Sequence, residues 1–158
     1  MNNSAKIITE VIIKELVTHA DERGFFREVF RFRKEFEKES VGQLSHSLVE
    51  EGIVKAWHGH KEQSQWNYVV SGKLKVVLYD NRPESLTYKE IMEFFVGNNE
   101  KLKAYYFPSG VLHGYKCLKG PLDIIYVTSG AYDLSDEIRI AEGDSNIGYN
   151  WLAGPSAK

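Results

Sequence analysis

Apolar and polar residues alternate with a period of two along most of the chain. QLSHSLV (43–49), KLKVVLYD (73–80) and YKEIMEFFV (88–96) largely alternate apolar with polar positions, as in a strand with one buried face. Similar β-branched or aromatic runs predict strands in KIITEVIIKEL (6–16), GFFREVFRF (24–32), GIVKAWHGH (52–60), QWNYVVSG (65–72), KAYYFP (103–108), VLHGYKCL (111–118) and LDIIYVTSG (122–130). Turn signals separate them: DERG, EEG, SG, DNRPES, GNNE, PSG and KGP. Pro83, Pro108 and Gly110 read as punctuation of such turns. A spacing of about 8–12 residues between strands points to an antiparallel sandwich or barrel. Only RKEFEKES (33–40) reads as a short helix, SDEIRIAEGD (135–144) is ambiguous, and LAGPSAK (152–158) is expected to be a flexible tail.

Composition narrows the function classes. With 158 residues the chain fits one domain, residues 1–158, able to bury roughly two thirds of its unfolded surface. A formal net charge of -2 and a pI near 6.2 offer no basic stripe for displacing counterions from phosphates, so no nucleic-acid partner is expected. No run approaches the roughly 20 apolar residues of a membrane span, and the first residues lack a signal-peptide core. The single cysteine, Cys117, rules out an intrachain disulfide and fits a reducing compartment; the expected location is the cytoplasm. With Lys116 and Lys119 as its nearest cations in sequence, Cys117 is expected to be a buried or edge thiol, not a nucleophile.

The candidate chemistry begins at GIVKAWHGHKEQSQWNYVVSG, 52–72. His58 and His60 lie one residue apart, so on a strand both rings share a face. Such a pair suits a metal, a proton transfer or an ordinary strand with two polar positions. Gly52, His58, His60, Gln65 and Gly72, followed later by PSGVLH ending in His113, resemble the two motifs of the cupin superfamily, small double-sheet jelly-roll β-barrels. The usual pattern has glutamate where Gln65 stands and asparagine where Cys117 stands. By that resemblance His58, His60, Gln65 and His113 would form a metal site, with imidazoles suited to several transition metals.

A second resemblance covers most of the chain. DERGFFREVF (21–30), GIVKAWH (52–58), YDNRPESLTY (79–88), FPSGVLHGY (107–115) and IIYVTSGAYDLSDEIRIAEGDSNIGYNW (124–151) occur in the order and spacing of the dTDP-4-dehydrorhamnose 3,5-epimerase family. The resemblance implies an all-β cupin homodimer that needs no cofactor or metal. Its substrate class would be a nucleoside-diphosphate 4-keto-6-deoxy sugar, epimerised at C3, C5 or both, for cell-surface polysaccharide synthesis such as lipopolysaccharide. A proton beside a ketone is weakly acidic: a base removes it, a donor stabilises the enolate oxygen, and an acid returns a proton. By resemblance His58 is the base and Tyr126 the acid, while His113 and Gln65 polarise the ketone. The planar fork of Arg23 would grip the diphosphate, Phe26 and Glu28 would share that strand, and Glu28 would meet the neighbouring subunit's nucleotide. Gln43, Ser45, Lys55 and Glu137 match further substrate-binding positions.

Several positions depart from the family. Gln65 replaces a lysine whose charge stabilises the enolate, a loss worth on the order of 3 kcal/mol. Val76 replaces an aspartate, and Lys55 an arginine. The family pairs its base histidine with an aspartate shortly beyond the segment ending in Trp151, yet none of residues 152–158 is acidic. Ser45 interrupts an amide-rich pattern and leaves base and sugar preference open. His60 is also atypical, which keeps a metal-dependent cupin as one alternative. A sugar-nucleotide-binding protein without turnover is the other.

Overall fold

Two long strands organise the molecule, and the rest of the chain is hung on them. The computed structural model describes residues 7–32, 40–98, 100 and 103–153. Among these, ten strands are present: β1 (Ile12–Glu15), β2 (Thr18–Asp21), β3 (Gly24–Arg27), β4 (Gln43–Val49), β5 (Val54–His60), β6 (Gln65–Asp80), β7 (Ile91–Gly97), β8 (Lys103–Phe107), β9 (Val111–Thr128) and β10 (Glu137–Arg139). The long ones, β6 and β9, pair antiparallel from Gln65↔Thr128 to Asp80↔Val111. Each then pairs differently along its two halves. The first half of β6 takes β8, which takes β1, while the second half of β9 takes β4. At the other end β6 takes β7, and β9 takes β5, which takes β10. Two five-stranded halves thus share one ribbon, the double-sheet barrel expected for a cupin.

The two long strands correct the sequence reading at two points. Ser71-Gly72 and Lys119-Gly120-Pro121 were expected to be turns; instead they lie inside β6 and β9. The register shifts between Val69 and Leu74, where the ribbon passes from one half to the other. Gly72 is required there: its φ is +91°, and a Cβ would sit 2.8 Å from the carbonyl oxygen of Lys119. A turn signal in the sequence therefore marks a bend within a strand. At the N-terminal end, of the described residues in the predicted 6–16 run only 12–15 pair. SDEIRIAEGD resolves as the short strand β10. The RKEFEKES helix lies almost wholly outside the described residues.

Alternation sorts β6 into two faces. Leu74, Val76 and Leu78 face the barrel core with Met92, Phe94, Val96 and Phe107, and Cys117 is buried among them. Val77 and Tyr79 face outward, where Trp57, Leu112, Ile147 and Trp151 cover them. The segment carrying Ile147 and Trp151 is thereby strapped onto the outer wall. Gly114 allows that approach, since a Cβ would lie 2.7 Å from the Trp151 ring. Ala153, in the stretch expected to be a tail, accepts a 3.2 Å hydrogen bond from the buried Lys75 ammonium. Residues 154–158 lie outside the described residues.

Candidate active site

The barrel holds a cavity of about 510 Å³. Its lining follows from strand pleating, with inward positions recurring every second residue except where register shifts between Lys55 and His58 on β5 and between Val69 and Leu74 on β6 change the inward set. β4 supplies Gln43, Ser45 and Ser47; β5 Lys55, His58 and His60; β6 Gln65, Asn67 and Val76. Tyr105 comes from β8, His113, Tyr115, Tyr126 and Thr128 from β9, and Glu137 and Arg139 from β10.

Three imidazoles meet at one wall. The His58 ring lies 4.9 Å from that of His60 and 5.3 Å from that of His113. His60 is fixed by Asp136, whose Oδ2 lies 3.0 Å from Nδ1 and whose Oδ1 accepts the Glu62 N–H at 2.7 Å. His58 faces a different carboxylate: its Nε2 is 3.4 Å from Glu137 Oε1. Burial, and secondarily the His60 charge, push the His58 pKa below the ordinary value of 6.5, while Glu137 pulls the other way. Burial, with His58 and His60 adding to it, holds His113 far below that value. Both rings are therefore neutral at pH 7, the form that can accept a proton or donate one hydrogen bond.

The adjoining wall is neutral and polar. Gln65 donates to Asn67 Oδ1 at 2.6 Å, Gln43 donates to Ser45 Oγ at 3.0 Å, and Gln43 Oε1 accepts the Tyr132 N–H at 3.0 Å. Tyr126 sits between these groups, in register with Ser45 on β4 and Asn67 on β6. Burial, then neighbouring Tyr126, pushes the Tyr115 hydroxyl up to about 12. Among the described residues, His113 Nδ1 and Asn67 Nδ2 are buried with no hydrogen-bond partner, while the buried His58 Nε2 has the 3.4 Å approach of Glu137 Oε1. Native interiors rarely leave such groups unpaired, and a ligand's oxygens would satisfy them.

The structure brings together His58, His113, Gln65, Tyr126, Gln43, Ser45, Lys55 and Glu137 of the residues expected from sequence. It leaves three elsewhere. Arg23 and Phe26 stand on the exposed β2–β3 hairpin and Glu28 follows it; Arg23 binds Asp21, and Glu28 binds Arg31. The four side chains of the metal alternative all line the cavity. Among the described residues, however, no group of three or more His, Cys, Asp or Glu side chains is arranged to hold a metal ion. Sequence reading missed Asn67, Tyr115, Arg139 and Asp136. The first two carry a legible signal, lying two residues beyond Gln65 and His113 on the same strands. The others depend on how β10 registers with β5.

Barrel and polar cavity are those of a cupin-type isomerase. The chain belongs to the dTDP-4-dehydrorhamnose 3,5-epimerase family, whose profile it matches over residues 5–158. It is 39% identical over 148 residues to the spore coat polysaccharide biosynthesis protein SpsL of Bacillus subtilis, covering 92% of this chain and 97% of that one. To the dTDP-4-dehydrorhamnose 3,5-epimerase of Shigella flexneri it is 31% identical over 163 residues, with 96% and 87% covered. The solved dTDP sugar isomerase from Desulfovibrio desulfuricans superposes with a TM-score of 0.84 over 94% of both chains; at 21% identity this shows a shared fold.

Proposed function

We propose that the protein epimerises a nucleoside-diphosphate-linked 4-keto-6-deoxy sugar by proton abstraction beside the ketone. The supporting observation is the meeting of a neutral imidazole, His58, and a phenol, Tyr126, in one cavity with neutral donors. His58 takes the C3 or C5 proton, the C–H electron pair moves into an enolate, and Gln65 and His113 hold the enolate oxygen. Tyr126 returns a proton to the other face. The enzyme is then left with an imidazolium and a phenolate, which exchange protons with solvent to reset. Family membership supports the substrate class, as does the relatives' work in polysaccharide and rhamnose synthesis.

Lys55 at the cavity supports binding of the diphosphate, and Gln43 and Ser45 contact the sugar or base. Arg23, Phe26 and Glu28 enter this reading only through a second copy. The exposed Val17, Phe25 and Phe26 on and beside the hairpin support a homodimer. The setting we infer is the cytoplasm, in a pathway feeding cell-surface polysaccharide, lipopolysaccharide included; among the described residues no helix is long and apolar enough to cross a membrane. Incubation with a dTDP- or UDP-linked 4-keto-6-deoxy sugar in deuterated water tests the reaction. Wild type should place deuterium at C3 or C5, and His58→Asn should not.

A further inference from the structure

Glu137 is a nearly buried carboxylate with two different engagements. Its Oε2 is clamped by Arg139, through Nε at 2.9 Å and Nη2 at 2.7 Å. Its Oε1 faces the buried His58 Nε2 at 3.4 Å. Both acceptor and clamp sit on one face of β10, two residues apart. The strand is itself fixed opposite the histidines, with Glu137 in register with His60 and Arg139 with His58. Reciprocal backbone bonds between Trp57 and Ile140, and the Asp136 bonds to His60 and Glu62, pin its two ends.

A neutral imidazole carries one N–H, and the hydrogen bond made by one nitrogen decides what the other can do. A carboxylate accepts and does not donate. The charged and titratable groups facing His58 are Glu137 and Arg139 from β10, His113 from β9 and His60 from its own strand, while among the described residues β6 contributes neutral Gln65 and Asn67. Among these only Glu137 is an anion, and its free oxygen points at Nε2. A proton on Nε2 gives both groups a partner; a proton on Nδ1 would set a lone pair against a carboxylate.

We propose that Glu137, held by Arg139, is the positioning residue of His58: it fixes the tautomer protonated on Nε2, so that Nδ1 is the nitrogen that takes the substrate's proton. When Nδ1 accepts that proton, the imidazolium forms beside a carboxylate already in place, with no reorganisation. The tautomer assignment stands on this chain's geometry alone; the role of Nδ1 rests on the proposed epimerase reaction.

The direct test is ¹⁵N NMR of histidine-labelled protein above pH 7.5. Wild-type His58 should show the pattern of Nε2–H, and Glu137→Ala and Arg139→Ala should move it toward a mixture of tautomers. His46, paired with Asp123 outside the cavity at 2.6 Å, should not change and reports that the variants are folded. A wild-type His58 protonated on Nδ1, or one unaltered in folded Glu137→Ala, overturns the proposal; wild-type protein alone decides the first point if the variant does not fold. In the exchange assay Glu137→Ala should lower kcat by about 100-fold with KM nearly unchanged, and Arg139→Lys should recover part of what Arg139→Ala loses. A raised KM with intact kcat would make Glu137 a substrate contact and overturn the positioning role. Wild-type protein without exchange but with the Nε2–H tautomer would strike the proposed reaction and leave the positioning standing.

Discussion

The two ends of β6 bury polar groups in opposite ways. At its last residue the Asp80 carboxylate is wholly buried and saturated. Oδ1 accepts from Arg82 N at 3.1 Å and Nε at 2.9 Å, and Oδ2 from Arg82 Nη2 at 2.9 Å, Ser85 at 2.6 Å and Thr87 at 2.7 Å. Arg82 goes on to bind Glu10 and the Thr9 carbonyl, tying down the segment beside the buried Ile8. At the first residues of the same strand, Gln65 and Asn67 share one hydrogen bond, and His113 and Asn67 each leave a buried atom unpaired. Burial is similar at both ends; satisfaction is not. A saturated network holds a fold, whereas unpaired buried polar atoms cost stability and are kept where a ligand will complete them.

The contrast predicts separable losses. The largest effect belongs to the open end: His58→Asn and Tyr126→Phe should each lower exchange into a 4-keto sugar by about 10² to 10⁴-fold, with urea midpoints close to wild type. Next, Asp80→Ala should cost about 3–5 kcal/mol in urea unfolding, because it strands the largely buried Arg82. Activity per folded molecule should survive that change. Equal damage to activity from Asp80→Ala, or to stability from His58→Asn, would erase the distinction.

Acid should attack the two ends in separate windows. His113 has a folded pKa far below its unfolded 6.5, so below that pH the unfolded chain binds a proton that the folded chain refuses. Stability should therefore fall as pH drops below about 6.5, by up to about 1.4 kcal/mol per pH unit for this group. His113→Asn should flatten that slope in pH-dependent melting. Asp80 responds lower. Burial raises its pKa, but hydrogen bonds from Arg82, Ser85 and Thr87 outweigh it and hold the carboxyl well below its ordinary 3.8. Its stabilisation is present above about pH 4 and fades only as pH falls through the folded value, and Asp80→Asn should remove that second loss. The smallest effect is expected for Asn67→Leu. Removing an unpaired amide offsets the lost acceptor for Gln65, so unfolding should change by less than about 1 kcal/mol while exchange slows.

How much of this was legible follows from the range of each interaction. Alternation along a strand is local, and it placed β4, β5, β7 and β8 close to their observed bounds. The bends at Gly72 and Gly120-Pro121 were misread because only the partner strand decides whether a glycine ends a strand or lets it cross between sheets. Family resemblance located His58, His113, Gln65 and Tyr126, and alternation then implied Asn67 and Tyr115. Asp136 could not be found that way: it lies 76 residues from the His60 it holds, and only the β5–β10 register unites them. The same register supplies His58 with a carboxylate, Glu137, which the sequence suggested only as a substrate contact. The carboxylate that faces His58 comes from β10, the neighbour of β5 on the side away from β9.

The central claim is that a neutral His58 in this cavity removes a proton beside a sugar ketone. Proton NMR of wild type and His58→Asn with a dTDP- or UDP-linked 4-keto-6-deoxy sugar in deuterated water tests it most directly, with the metal content of the same samples measured. The account predicts deuterium at C3, C5 or both with wild type at a rate independent of added chelator, and none with His58→Asn. Exchange that persists in His58→Asn, or that stops in wild type when stoichiometric metal is stripped, would contradict it.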